Sequence, residues 1–147
     1  MSTELSTNVA ANETTLSIAE DMSTANQFYF TGKLETKDDK KAFFNAVQNP
    51  DEQLRDHINE RIDLVNIYIA PVMLESSEEP GVKVQCPRVV LFDADGTTYT
   101  CVSVGVYNAL KGIVQTFGDP GEWDEPLPVV IKQISKGTNQ LLTLKIC

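Results

Sequence analysis

Between Val89 and Gly118 the spacing of apolar positions changes from the period of a strand to that of a helix. Val89–Phe92 is β-branched and apolar, which predicts a strand. Asp93-Ala94-Asp95-Gly96 follows as a tight turn, with glycine where a positive φ is needed. Thr97–Val104 reads as the returning strand. Val106, Leu110, Ile113, Val114 and Phe117 then recur at helical spacing and predict a buried helical face. Ser103 or Gly105 starts that helix, and Gly118 with Pro120 ends it.

The remaining pattern is read outward from this unit. Gln27–Thr36 alternates Phe28, Phe30 and Leu34 against Tyr29, Thr31 and Lys33, as a strand does, with Gly32 marking a bulge or bend. Lys37–Val47 predicts a helix burying Phe43, Phe44 and Val47. Asn49-Pro50 breaks it, and Asp51–Arg61 predicts a second short helix. Ile62–Leu74 is a long β-branched strand in which Pro71 requires a bend, an edge or a bulge. Glu75–Gly81 is an acidic loop, and Val82–Asp93 returns as a strand. Asp119–Pro128 is a proline-rich loop holding the single tryptophan, Trp123. Leu127–Ser135 and Gln140–Ile146 close the chain as a hairpin turned at Lys136–Asn139.

From Ile62 onward the order is three strands, a helix and two strands. This predicts a mainly β fold with helices: an OB-like five-stranded antiparallel barrel, with one helix between strands three and four. The strand and short helices of Gln27–Arg61 are N-terminal additions. A helix packed on an open antiparallel sheet fits the same order. Residues 27–147 are expected to form a single domain, and residues 1–26, rich in Ser, Thr, Asn and Ala, a flexible tail.

Composition narrows the function classes. No apolar run reaches the roughly 18 residues of a membrane helix, and no secretory signal is visible. Cys86, Cys101 and Cys147 lack metal or redox spacing and read as reduced thiols. The lone histidine, His57, has no nucleophile motif to serve. Phosphate-binding glycine motifs are absent, and Asp93–Gly96 does not continue as a calcium loop. The expectation is a protein that is not an enzyme and uses no cofactor or metal.

The formal net charge is -9, which disfavours binding nucleic acid by charge alone. The distribution is uneven, however. Residues 1–27 carry acids and no Lys or Arg, whereas the chain after Glu125 carries Lys132, Lys136 and Lys145 and no acid. Single strands are held by aromatic platforms beside basic residues. Tyr68 and Tyr99 are the leading stacking candidates, with Phe92 and Tyr29 beside them. Lys33, Lys83, Arg88, Lys132 and Lys136 are the candidate phosphate contacts. Convergence of these bases with tyrosine on one face would favour single-stranded nucleic acid. An acidic face would favour the alternative, an acidic protein-binding module that inhibits or recruits a partner protein.

Three runs carry a family resemblance: Asp95-Gly96-Thr97-Thr98-Tyr99, Ser103 through Leu110, and Phe117-Gly118. Together with the closing strand Leu141–Leu144, they resemble small single-stranded-DNA-binding proteins of phages of Gram-positive bacteria. The resemblance covers roughly Val89–Cys147. It implies an OB-fold, single-stranded DNA as the main partner and support of DNA replication or recombination in the bacterial host cytoplasm. Replication or recombination proteins would be further partners. The matched positions are turn and helix positions, so it assigns no binding residue. The acidic C-terminal run by which many such proteins recruit partners has no counterpart in Leu144–Cys147.

Overall fold

The computed structural model describes residues 28–76, 78–136 and 139–147. The segment expected to be a tail, 1–26, lies outside the described residues. Among the described residues seven strands form one sheet. They are β1 (Tyr29–Phe30), β2 (Glu52–Gln53), β3 (Arg61–Glu75), β4 (Lys83–Asp93), β5 (Thr98–Val102), β6 (Leu127–Lys136) and β7 (Asn139–Ile146). Their order is β2-β5-β4-β3-β6-β7, with β1 alongside β3. Among the described residues two α-helices accompany them, α1 (Lys37–Gln48) and α2 (Val104–Phe117). The sheet curls into an open half-barrel. No β5–β7 ladder closes it among the described residues, and α2 packs on β7 and β4.

The curl comes from β3. Its first residues, Arg61–Leu64, pair with β6, and Leu64–Glu75 pair with β4. Between Leu64 and Asn66 the register shifts by a bulge. An extra residue reverses the inward alternation. Ile62 and Leu64 therefore face the core before the shift, and Ile67 and Ile69 after it. Pro71 needs no bend. It lies opposite Pro87, so the two residues without N–H groups share one rung of the ladder.

The core holds those four residues with Val89, Leu91, Val129 and Ile131 from the sheet and Val106, Tyr107, Leu110 and Ile113 from α2. Leu54 enters it from a short 3-10 turn, Leu54–His57. Ser103 caps α2 by accepting from the Val106 amide at 3.1 Å, and Gly118 ends it at φ 86°. Gly105 is there because β7 touches the helix: a Cβ at this position would run into the Leu142 carbonyl oxygen.

Four expectations are corrected. The strand over Gln27–Thr36 shortens to Tyr29–Phe30. Thr31 ends it by turning its hydroxyl to the Ile67 amide (2.9 Å), and the Phe30 ring folds over Gly32. The second short helix shrinks to the single 3-10 turn Leu54–His57. Asp51 exchanges three hydrogen bonds with Thr98, which draws Glu52–Gln53 into a parallel pair with β5. On α1, Ala46 is buried while Phe44 is 59% exposed. On α2, Phe117 is exposed at the last turn, and Tyr107 is buried in its place.

Candidate nucleic-acid interface

Helix α1 lies over the outer face of β3 and β4. Thr36 and Asp39 start it with reciprocal side-chain caps. The two amides that Asp39 accepts from, Thr36 above all and then Glu35, hold its carboxyl below the usual range. At the other end the Arg88 guanidinium of β4 donates to the Val47 carbonyl at 2.7 Å. This bond satisfies a helix-terminal carbonyl and fastens α1 to the sheet.

Between helix and sheet lies a layer of rings. Phe43 of α1 sits 4.7 Å from Phe30, 5.5 Å from Phe28 and 5.6 Å from Tyr68, centroid to centroid. Phe92 extends the layer, 5.5 Å from Phe30. These are ordinary aromatic packing distances. Tyr68 is buried here, and burial raises its phenol pKa. Phe28 remains 43% exposed at the margin.

The outward side of α1 combines positive charge with an exposed ring. At 3.6 residues per turn, Lys37, Lys40, Lys41 and Phe44 fall within about 100° of arc. All four are exposed, and Lys33 is exposed just before the helix. Among the described residues none of these lysines is in an ion pair. Of the two acids in the first turn, Asp39 is committed to the cap. The sequence reading missed this stripe because it placed Phe44 in the core. The Lys, Lys and Phe spacing of 37, 41 and 44 was the available signal.

The residues singled out from the sequence are distributed as follows. Lys33, Tyr68, Arg88 and Phe92 come together at the α1 side. Tyr29 turns into the core and donates its hydroxyl to Asp119 Oδ2 at 3.1 Å; burial and that carboxylate push its pKa up. Tyr99 packs against the core on the other face of the sheet, edge-on to His57 at 5.1 Å. Its pKa is raised by burial first and then by the surrounding carboxylates. Lys83 is exposed at the far end of the β3–β4 hairpin, opposite Glu75. Lys132 donates to Asn59 Oδ1 at 3.1 Å. The Lys136 side chain lies outside the described residues. Lys83 and Lys132 thus lie apart from Lys33 and Arg88.

His57 is held between two carboxylates, Nδ1 2.8 Å from Glu60 and Nε2 2.9 Å from Glu52. Both ring nitrogens face acceptors, which favours the imidazolium and raises its pKa. Burial pushes the Cys101 thiol up to about 12. Among the described residues no group of His, Cys, Asp and Glu is arranged to hold a metal ion, and no helix is long and apolar enough to cross a membrane.

No curated protein and no solved structure matches the chain significantly. A family model described as "Phage Single-stranded DNA-binding protein" matches residues 22–147, which takes in every element described above. The chain therefore belongs to the phage single-stranded DNA-binding protein family.

Proposed function

We propose that this chain coats single-stranded DNA without reading sequence, in support of phage DNA replication or recombination in the host cytoplasm, and that α1 presents the binding surface. The family supports the DNA. The observation that carries the surface is the exposed Lys37, Lys40, Lys41 and Phe44 stripe above a packed aromatic layer. Phosphates would lie along the lysines, with Lys33 at one end. Bases would stack on Phe44 and on the open margin of Phe28. Stacking contributes about 1–3 kcal/mol per base and tolerates any sequence. Local lysines supply the phosphate term in spite of the net charge of -9. Tyr68, Phe92 and Arg88 support the stripe from below by fixing α1.

The succession of β3, β4, β5, α2, β6 and β7 is that of an OB-fold opened on one side. We take residues 27–147 as one such domain, with β1, α1 and β2 as additions that cover its outer face. The test is oligo(dT) affinity against salt for wild type and for alanine variants at Lys33, Lys37, Lys41 and Phe44. Alanine variants at Tyr29, Lys83, Tyr99, Lys132 and Lys136 complete the series. Losses confined to the first set support the α1 surface. Losses confined to the second set move the site to the hairpins, and no binding by wild type at low salt ends the proposal.

A further inference from the structure

A second surface lies at the C-terminal end of α2. Phe117, Trp123, Pro126, Leu127 and Pro128 line a groove of about 400 Å3, rimmed by Glu122, Asp124 and Glu125. That volume is within the range that holds a side chain or a short peptide segment. Trp123 is fixed in place. Its indole Nε1 donates to the carbonyls of Phe117 (3.1 Å) and Gly118 (3.0 Å). With its N–H committed, the indole offers the groove a ring rather than a donor. Phe117 adds a second ring, 45% exposed.

The electrostatics of this groove have one sign. The three rim carboxylates are exposed and, among the described residues, make no ion pair or hydrogen bond with their side chains. The helix that ends here directs its negative pole to the groove, and its last turn carries no basic residue. No lining residue is a Lys or an Arg. Carboxylates beside aromatic faces suit a cation on an apolar stem, through ion pairing and cation–π contact together. Phosphate would be repelled.

We propose that this groove docks a segment of another protein that alternates Lys or Arg with apolar side chains. Two occupants closer at hand are unsuited. Residues 1–27 of the chain hold acids and no base. A second copy brings the same net charge of -9, and its exposed lysine stripe, on α1, is the surface proposed for DNA. The partner supplies the basic segment, so the groove serves recruitment and is separate from the α1 stripe.

Trp123, as the single tryptophan, reports on the groove directly. The probe is an acetylated hexapeptide alternating Arg and Leu, titrated into the full chain at low salt while tryptophan emission is followed. Its counterpart with Glu for Arg is the control. Saturable change with the Arg peptide alone is expected. The variant Glu122→Gln/Asp124→Asn/Glu125→Gln should bind it about tenfold more weakly. Among the described residues these side chains make no hydrogen bond or ion pair, so the variant should keep the wild-type melting temperature. Saturating oligo(dT) should leave peptide affinity unchanged. The proposal is overturned if wild type shows no saturable change, if the Glu peptide or the triple variant performs equally, or if oligo(dT) displaces the peptide.

Discussion

Tyr68 and Tyr99 lie on opposite faces of one sheet. Tyr68 stands opposite Val90 on β4, and Tyr99 stands opposite Leu91, the next residue along the same strand. Adjacent strand positions point to opposite sides. Tyr68 therefore joins the ring layer under α1, and Tyr99 joins the core near His57. The two tyrosines cannot form one stacking platform, and an aromatic for DNA has to be sought where a ring is both exposed and flanked by bases.

Phe44 meets that requirement. Phe44→Ala should weaken oligo(dT) binding by about 1–3 kcal/mol with little change in salt slope. Lys41→Ala should instead flatten the slope by roughly 0.7, because one phosphate is no longer neutralised by the protein. Affinity titrations at three or more salt concentrations separate the two effects. An unchanged affinity for both variants would remove α1 from the interface.

Leu110→Ala should destabilise the fold by about 2–5 kcal/mol. Leu110 is wholly buried at the centre of the α2 face, and truncation leaves a cavity that the packed sheet cannot fill. Denaturant unfolding measures the loss; a change under about 1 kcal/mol would contradict the packing.

At Gly105, even a methyl group is too large. Gly105→Ala sets a Cβ against the Leu142 carbonyl, a backbone atom that cannot rotate aside. Overpacking of this kind costs about 1–3 kcal/mol. Gly112 on the same helix has nothing near its Cβ position. Gly112→Ala should therefore raise the melting temperature while Gly105→Ala lowers it, since alanine is the better helix former where space allows. Thermal melts of the two variants form an internally controlled pair.

His57 makes stability pH-dependent in a stated direction. Its folded pKa is raised, mainly by the hydrogen bonds to Glu60 and Glu52. A raised pKa means that the folded state holds the proton more tightly. The contribution is complete below the unfolded value of about 6.5 and is lost as pH rises through the folded pKa. His57→Gln should remove this dependence. NMR titration of the imidazole should give a midpoint above 6.5; one at or below that value would show that the carboxylates do not clamp it.

Some of this was legible because it is local. Asp93–Gly96 makes its turn through bonds among neighbours, Gly96 N–H to the Asp93 carbonyl and Thr97 N–H to Asp95 Oδ1. The Ser103 side-chain cap and the Gly118 stop, a backbone N–H donated to the Val114 carbonyl, use only groups within four residues of each end of α2. The apolar periods of β3, β4 and α2 located these elements because burying one face of a strand or helix leaves its mark at every second, or every third to fourth, residue.

What the tertiary structure decided are the relations between distant positions. A bulge between Leu64 and Asn66 reverses which residues of β3 face inward, and no local residue type announces it. Tyr29 is held by Asp119, 90 positions away, and Thr98 by Asp51, 47 away. α1 covers Tyr68 and leaves Phe44 in solvent because Arg88 and the rings beneath fix which way the helix faces. A hydrophobic pattern records that a face is buried, while the partner that buries it is chosen by packing energy summed over the whole molecule. The sequence by itself therefore determined β3 to β7, the two helices α1 and α2 and the family, and tertiary packing determined the short pairings of β1 and β2 and which aromatic and basic side chains reach the surface together.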